Sequence, residues 1–448
     1  MRSLDVGIIG AGTAGSAAAI FLARAGHQVT VYERVPSPGP VGAGITLQPT
    51  GLHVLARLGL HGEVVARGAR IQRLHCMRRG RRTLVDLSYV GSHLPAHLSG
   101  HELFGLGVHR GVLFESLWRA MARQPVKVRT GVEIVDLARA EPRGRGQQHA
   151  RESWFVDVER ARHGPHELVV VADGARSQLR DDTGTSKRIT QYPWGALWFV
   201  GKEWRDADAP ERALLHQVVD GNQSFLGLLP TGRGPSGMST ASASASVGRD
   251  PGREPLVSLF WSLRCDRLAA WKARGLDAWK DDARALAPEC GPILDQIERP
   301  EQVLFAAYHD VVMDRWSTRN VVYLGDAAHA TSPQLGQGAN LALWDAMTLA
   351  DVLAEEERDL ATALDRYSRV RADHLAFYQF MTRALTPFFQ GDHAILGALR
   401  DIGMPIMSRL PLFDRVMTLT MLGVVDGFGG GLLPISLEAG RSGSCSDA

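Results

Sequence analysis

The stretch GAGTAGSAAAIFLARAGHQVTVYER, Gly10–Arg34, constrains this chain more than any other part of it. The apolar run Leu4–Ile9 leads into it as a first strand. Ala14–Ala25 is small and apolar, has no proline, and reads as a helix with Gly26 as its C-cap. Gln28–Glu33 alternates β-branched residues and reads as a second strand. Together these make a βαβ unit. In Gly10-x-Gly12-x-x-Gly15, Gly10 permits the tight turn, Gly12 lets the backbone approach a pyrophosphate, and Gly15 lets the helix sit close to the strand. Free N–H groups at the helix start favour phosphate charge. Glu33 ends the second strand, where a carboxylate accepts hydrogen bonds from an adenosine ribose. The unit reads as a dinucleotide-binding turn, and by itself it leaves NAD and FAD equally open.

At 448 residues the chain exceeds one typical core and predicts two or three lobes. Its 45% hydrophobic and 22% charged residues suit an ordinary globular protein. A net charge of +2 gives no reason to expect nucleic acid. Arg67, Arg70, Arg73, Arg78, Arg79, Arg81 and Arg82 cluster and read as a solvated basic face; the alternative is attraction for an anionic substrate or the phosphates of NADPH. Cys76, Cys265, Cys290 and Cys445 have no paired spacing, which argues against a zinc site or a disulfide framework and fits a reducing compartment, hence the cytoplasm. The N-terminus reads as a first strand, not as a signal peptide. No run of about eighteen apolar residues predicts a spanning helix, and no internal repeat is found.

Pro36, Pro38, Gly39 and Pro40 mark an irregular loop. Thr50–Leu58 predicts a helix, and Phe114–Arg123 another, after a strand at Leu103–Val108. Glu141–Glu152 is polar and reads as a hairpin tip. The branched-apolar runs Leu168–Ala172 and Val321–Leu324 fit strands buried on both faces of a parallel sheet. Between them Ser224–Leu229 and Val257–Leu263 alternate, as strands of a second, more antiparallel sheet do. Thr231–Arg253 is low in complexity and reads as a mobile loop or insertion, with a cover over the active site as the weaker alternative. Leu341–Ala354 and Asp359–Ala384 carry helical periodicity, and Pro387 ends the second. The segment MPIMSRLPLFDRVMTLTMLGVVDGFGGGLLP is apolar with few charges. It reads as a helix closing over the core, or else as a surface that meets a membrane or a lipophilic substrate. The end, from Glu438 onward, reads as frayed.

Two further motifs carry chemistry. ADGARSQLR places Asp173-Gly174-x-x-Ser177-x-x-Arg180 after a buried strand; taken alone it reads as a capped turn. In YLGDAAHATSPQLGQGANLALWDAMTLADVL, Tyr323–Leu353, a strand ends in Gly325-Asp326, and Pro333 and Gly336-x-Gly338-x-Asn340 lead into a helix. Asp326 is placed to bind polyol hydroxyls such as a ribityl chain. The glycine-rich helix start offers N–H donors and a positive dipole end, which suits a ring that gains negative charge on reduction. His329 reads as a structural histidine beside the strand end, with a catalytic base as the weaker alternative. His93, His97, His101 and His109 share no metal-ligand spacing and read as surface or loop residues.

These three motifs, in this order across roughly the first 355 residues, resemble those of the single-component FAD-dependent aromatic monooxygenases, akin to para-hydroxybenzoate hydroxylase and the ubiquinone-biosynthesis hydroxylases. The resemblance implies an α/β fold. A discontinuous FAD-binding, Rossmann-like domain of the glutathione-reductase type takes residues 1–75, 101–182 and 301–355. An inserted mixed β-sheet substrate domain takes 76–100 and 183–300, and a C-terminal helical region takes 356–448. It implies bound FAD, with Gly10, Gly12, Ala14 and Gly15 at the pyrophosphate and Glu33, with Arg34, at the adenosine ribose. Asp173 is associated with both FAD and NAD(P)H handling. Gly325 and Asp326 contact the ribityl chain, and Pro333, Gly336, Gly338, Ala339 and Asn340 line the isoalloxazine. VGAGITLQP, Val41–Pro49, resembles the loop beside the flavin ring and sets Gly44 and Ile45 there. Arg110 in VHRGVLFESL matches an arginine that approaches the FAD phosphates. Trp344 departs from the pattern, since many relatives carry Glu there; an effect on local packing or on the site wall is expected. RALTPFFQ and the apolar tail resemble the ubiquinone-hydroxylase branch less specifically.

The resemblance also implies an activity. NADPH or NADH, bound transiently in a surface groove, reduces FAD, and this agrees with the lack of a second glycine-rich nucleotide fold. O2 then yields a flavin hydroperoxide that hydroxylates or epoxidises an aromatic, quinone-like or other apolar small molecule. A mostly apolar pocket between the sheets is expected, and no catalytic base is identifiable. A flavin reductase or halogenase of related fold is one alternative, although the paired-tryptophan signature of the tryptophan halogenases is absent. A flavoprotein that binds a pathway intermediate without oxidising it is another. The expected location is cytoplasmic, peripheral to a membrane if the C-terminal apolar segment makes contact.

Overall fold

The computed structural model describes residues 2–80, 82–90, 94–95, 98, 102–139, 152–180, 187–236, 254–356 and 359–437. The strand Asp5–Ile9 lies inside a six-stranded sheet, hydrogen-bonded in parallel to Leu168–Val171 on one side and Gln28–Glu33 on the other. Val126–Thr130 continues the sheet beyond Gln28–Glu33, and Val321–Tyr323 with Ser317–Thr318 beyond Leu168–Val171. The branched-apolar runs are buried, as strands covered on both faces require. The helix Thr13–Arg24 buries Ala17, Ala18 and Ala19 completely. Such small side chains let the helix Gly338–Glu355 pack directly on it.

The second sheet has seven strands in the order Leu304–Met313, Lys187–Lys202, Pro255–Arg264, Ser224–Arg233, Leu214–Asp220, Arg73–Arg78, Arg82–Ser88. It is mixed, because Leu214–Asp220 runs parallel to Arg73–Arg78 while the other pairs are antiparallel. Period-two alternation sends Leu197, Phe199, Leu226, Leu228, Val257 and Leu259 to one face. There they form a separate core with Trp271, Trp279 and Ile293 from the helices Leu268–Arg274, Leu276–Leu286 and Gly291–Leu294. The opposite face meets a small sheet of Gly44–Leu47, Gly105–His109 and Ala69–Ile71. At this joint Gly107 is so close to the next layer that a Cβ would lie 1.9 Å from the Pro230 carbonyl oxygen.

Several sequence expectations shift. The seven-stranded sheet begins at Arg73 instead of residue 76, and it takes an edge strand, Leu304–Met313, from within 301–355. That strand pairs along Lys187–Lys202 before the chain returns to the six-stranded sheet at Ser317–Thr318 and Val321–Tyr323. Pro387 does not end its helix, which runs Leu360–Phe389. The missing N–H falls within the last turn, where the Thr386 hydroxyl donates to Thr382 O at 2.6 Å and Gln390 N–H closes on Thr386 O at 2.8 Å. The helix expected from Phe114 starts at Arg110 and runs to Ala122, capped by His109, whose Nδ1 accepts from Gly111 N–H at 3.0 Å. His109 is thus buried instead of on the surface, and burial pushes its imidazole down to about 4, so the neutral ring can accept. The arginine cluster is not a free basic face. Arg67 pairs with Glu115, Arg70 with Glu102, Arg73 with Asp86, Arg78 with Asp401 and Arg79 with Asp220.

The strands flanking the expected hairpin tip, Ile134–Arg139 and Ser153–Asp157, are antiparallel neighbours. The tip itself up to residue 151, Arg81, His93, His97, His101, residues 237–253 and the end from Glu438 lie outside the described residues. Among the described residues Cys76, Cys265 and Cys290 are free thiols, no cluster of ligands could hold a metal, and no helix is long and apolar enough to cross a membrane.

Because the Pro230 carbonyl is backbone and cannot swing away, Gly107→Ala is expected to destabilise the protein by about 1–3 kcal/mol. A lower urea midpoint with an unchanged m value would show it; an unchanged midpoint would mean that the joint is loose.

Candidate functional site

The three motifs end on the same edge of the six-stranded sheet. Gly10 (φ 96°) leaves its strand in the left-handed region, and a Cβ there would lie 2.5 Å from Ala172 O and 3.0 Å from Asp173 Cα. Gly15 is closer still to its own turn, with a Cβ placed 1.9 Å from Gly10 O. Gly325 (φ 59°) fits between Ala14 and Ala342, 3.1 and 3.2 Å from a virtual Cβ to their Cβ atoms. The glycine turn, the Asp173 turn and the Gly325 turn are therefore in mutual van der Waals contact.

Arg180 locks two of them together. It is buried, and it donates to Ser177 O at 2.9 Å, Gly174 O at 3.1 Å and Ala175 O at 2.9 Å on its own turn. From the same guanidinium it donates to Ala327 O and, at 3.2 Å, to Asp326 O across the site. A planar fork with five N–H groups is suited to this spread of acceptors.

A second buried group holds the Gly325 turn from beneath. The fully buried Asp345 accepts Gly325 N–H at 2.8 Å, His329 Nε2 at 2.6 Å and Arg371 Nε at 2.8 Å. Burial alone would raise this carboxyl; His329 and Arg371 outweigh it and hold the group at about 2. Arg371 also donates to His374 Nδ1, while His374 Nε2 lies 3.4 Å from Gly423 O. Burial, reinforced by Arg371, drives the His374 imidazole well below its usual range, so it accepts as a neutral ring. His329 is enclosed and committed to Asp345, which is the structural placement and not that of a catalytic base. Trp344 packs its ring between His53 and His374, at 5.5 and 6.3 Å, and so seals this charged cluster from outside.

Several features fit a long, charged cofactor. A Cβ at Gly12 or at Gly174 would meet nothing within 4 Å, so both backbones border open space. Asp173 keeps a buried Oδ1 with no protein partner, and burial raises its carboxyl. Glu33 accepts Ala11 N–H at 2.9 Å and Val35 N–H at 3.0 Å, which fixes its carboxylate beside the glycine turn. Arg34 is exposed next to it. Asp326 is exposed, and its Oδ1 would be 3.9 Å from a Cβ on Gly338, at the start of the helix Gly338–Glu355. Pro333 and Gly338 are exposed on this side, and Gly336 and Ala339 partly so.

Two candidates also hold the protein together at this edge. The Asn340 side chain is buried and accepts Gln48 N–H at 2.8 Å, while its amide donates to Gly336 O at 3.1 Å and Thr46 O at 3.3 Å. It stitches the strand carrying Gly44 and Ile45 to the glycine-rich turn. Arg110 has an exposed side chain whose Cδ would be 3.1 Å from a Cβ on Gly42, and its N–H donates to Ala43 O at 3.0 Å, so it braces the same loop. Gly44 in turn donates to Ser258 Oγ at 3.1 Å and abuts Thr231, where the two sheets meet.

Beyond that contact the sheet face is lined with aromatic residues. Trp198 and Phe260 lie 5.4 Å apart, Phe225 and Phe260 5.0 Å, and Phe225 and Phe389 5.7 Å. On the same face Trp194 and Ser262 are diagonal neighbours, since Trp194 pairs with Arg264 and Ala196 with Ser262. Both are buried, and Trp194 Nε1 and Ser262 Oγ lack partners. Tyr192 sets its phenol beside Ser332 and the Asp310–Arg383 pair, without a hydrogen bond of ordinary geometry; burial, with Asp310, pushes it up to about 12. Ser332, next to Pro333, is held by Thr386 at 2.8 Å. Sequence reasoning missed Asp345, Arg371 and these three polar groups. Asp345 alone left a signal, as a carboxylate set within the apolar run 341–347.

A βαβ dinucleotide turn joined to a strand-end aspartate and a glycine-rich helix start defines a flavoprotein of the FAD-dependent monooxygenase class. A family model described as "FAD binding domain" matches residues 3–378, and the chain belongs to that family, the single-component FAD-dependent aromatic monooxygenases. It is 26% identical over 365 residues, 81% of this chain and 83% of the relative, to a probable 2-heptyl-3-hydroxy-4(1H)-quinolone synthase of Rhodococcus erythropolis. It is 26% identical over 393 residues, 84% and 87% of the two chains, to 3-hydroxybenzoate 6-hydroxylase of Klebsiella oxytoca. The fold resembles that of Klebsiella pneumoniae HpxO complexed with FAD and uric acid, with a TM-score of 0.72 and 22% identity over 94% of this chain and 97% of that one. The protein is a flavin-dependent monooxygenase, and its cofactor is FAD.

The Asp345 carboxylate lies below its ordinary value of 3.8, so it contributes stability that is present above about pH 4 and lost as the pH falls toward 2. Asp345→Asn should remove that acid-dependent loss and cost about 3–5 kcal/mol at neutral pH, because Arg371 is left buried without its carboxylate. Urea midpoints at pH 7 and pH 3 measure both effects. Equal acid sensitivity in the variant would assign it to other groups.

Proposed function

We propose that this monooxygenase inserts one atom of O2 into an aromatic or quinone-like, largely apolar small molecule, using NADH or NADPH as a transient electron donor. The balance is substrate–H + O2 + NAD(P)H + H+ giving substrate–OH + NAD(P)+ + H2O. The observation that carries the reading is the aromatic sheet face with Trp194 Nε1 and Ser262 Oγ buried and unpaired, the same face that Ser258 presents to Gly44. Buried polar groups without partners are costly and mark places where a ligand supplies the missing bond.

On this reading the residues of the three turns hold FAD along its length. The N–H groups after Gly12 take the pyrophosphate, Glu33 and Arg34 border the adenosine ribose, Asp173 and Asp326 take hydroxyls of the linking chain, and Pro333 to Ala339 face the ring. The bound flavin supplies the electron and oxygen transfer. The chain's own part is to orient the substrate and exclude water. Trp198, Phe225, Phe260 and Phe389 give flat apolar walls. Trp194 Nε1–H donates to a substrate oxygen, and Ser262 Oγ–H donates to the same atom or accepts from an adjacent hydroxyl. The reading draws support from relatives named for quinolone and hydroxybenzoate chemistry.

Gly12→Val would place a side chain in the open space before the first helix. It is expected to abolish FAD retention while leaving the thermal midpoint of the FAD-free protein unchanged; a yellow variant would contradict the assignment. With a hydroxylated aromatic or quinolone substrate under 18O2, the product should carry one 18O and NAD(P)H oxidation should be stimulated. Label arriving only from water, or ligand binding without turnover, would sink the monooxygenase reading for that substrate class. Ser262→Ala should raise KM about 5–30-fold, as expected for loss of one buried hydrogen bond of about 1–2 kcal/mol, and change kcat less.

A further inference from the structure

The helix Ala394–Met407 is amphipathic in the wrong sense for a solvent-facing helix. Its only charged residues, Arg400 and Asp401, are turned inward, 1% and 6% exposed. Arg400 donates to Asp401 Oδ1 at 2.6 and 3.0 Å and to Phe388 O at 2.9 Å, and its guanidinium lies 5.3 Å from the centre of the Phe389 ring. Arg78 reaches the other Asp401 oxygen at 3.2 Å. Outward, the helix presents Ile395, Leu399, Ile402 and Ile406, which are 73%, 55%, 61% and 59% exposed. Their spacing of four, three and four residues puts all four on one narrow stripe. The connection and the next helix, Pro411–Leu422, extend it with Leu410, Leu412 and Val416, also exposed. Exposed apolar side chains grouped along one helix face mark a contact site, unlike scattered surface leucines.

We propose that these two helices seat the enzyme on the surface of an anionic lipid bilayer. Charge decides between a membrane and a second copy of the chain. Arg409 and Arg415 are exposed in the middle of this surface, and neither has a carboxylate partner among the described residues. Of the nearby acids, Asp401 is committed to Arg400 and Arg78 and Asp392 to Arg264, and Asp414, which lies between the two arginines in sequence, is not free either. A two-fold contact would bring this patch against itself and set arginine toward arginine with no free acid to answer. An anionic leaflet instead takes the isoleucines and leucines into its headgroup–acyl boundary and pairs both guanidinium groups with phosphates. The inner side of Ala394–Met407 sets Arg400 over Phe389, the last residue of the preceding helix, and Phe389 lies 5.7 Å from Phe225 on the aromatic sheet face. The docked surface therefore backs directly onto the proposed substrate wall. The inference stands on the exposed stripe and its arginines, and it does not require the substrate reading to be right.

The test is co-sedimentation of the FAD-loaded enzyme with vesicles of phosphatidylcholine alone or mixed with phosphatidylglycerol. The wild type should partition to the mixed vesicles about tenfold or more over phosphatidylcholine alone. Leu399→Glu/Ile402→Glu should abolish binding to both. Arg409→Glu/Arg415→Glu should remove the preference for phosphatidylglycerol. All four positions are exposed, so FAD content and thermal midpoint should stay at wild-type values and show that the variants are folded. No binding to either vesicle overturns the proposal. So does equal binding to both, insensitive to the arginine reversals, or a wild-type dimer that the double glutamate variant converts to monomer in sedimentation equilibrium. None of these readouts involves turnover, so failure here is distinguishable from failure of the proposed reaction.

Discussion

Everything at the cofactor edge depends on buried side chains that satisfy the backbone of sharp turns. Arg180 binds the carbonyl oxygens of the Asp173 and Asp326 turns, and Asp345 binds the N–H of Gly325. Strand ends are where a sheet runs out of hydrogen-bond partners, so three turns converging there leave many orphan groups. One guanidinium and one carboxylate meet much of that demand, and in doing so the guanidinium fixes the separation of segments 146 residues apart. Asp345 is itself tolerable in the interior because His329 and Arg371 answer its charge, and the neutral His374 answers Arg371 in turn. The price of this arrangement is a chain of dependence, in which loss of any member leaves another charge unpaired.

The framework was legible in the sequence because its signals are local. Gly10, Gly12 and Gly15 sit between recognisable strands, and branched-apolar runs marked Leu168–Val171 and Val321–Tyr323. The family resemblance then ordered the three motifs along one cofactor. Elements set by distant partners were less legible. Leu304–Met313 looks like part of the FAD-binding segment until it is seen paired along Lys187–Lys202. The helix Leu360–Phe389 passes through Pro387 because the lost N–H comes in its final turn.

Side-chain function was harder still. The motif marks Asn340 in the sequence, but not that its amide bonds to Thr46, Gln48 and Gly336. The arginines around residue 70 look in sequence like a basic face, but their carboxylates come from Asp86, Glu102, Glu115, Asp220 and Asp401, far apart along the chain. Arg400 and Asp401 would pass for a solvated pair, whereas they point inward and leave the apolar stripe outside. Which face of a helix is buried follows from its neighbours, and here Phe388, Phe389 and Arg78 decide it.

The central claim is that three separate turns grip one FAD molecule along its length. Hydrogen exchange measured with and without saturating FAD tests it most directly. The account predicts that residues 10–16, 173–177 and 325–340 gain protection together, at the same FAD concentration. Protection confined to residues 10–16, with the other two segments unchanged, would contradict it.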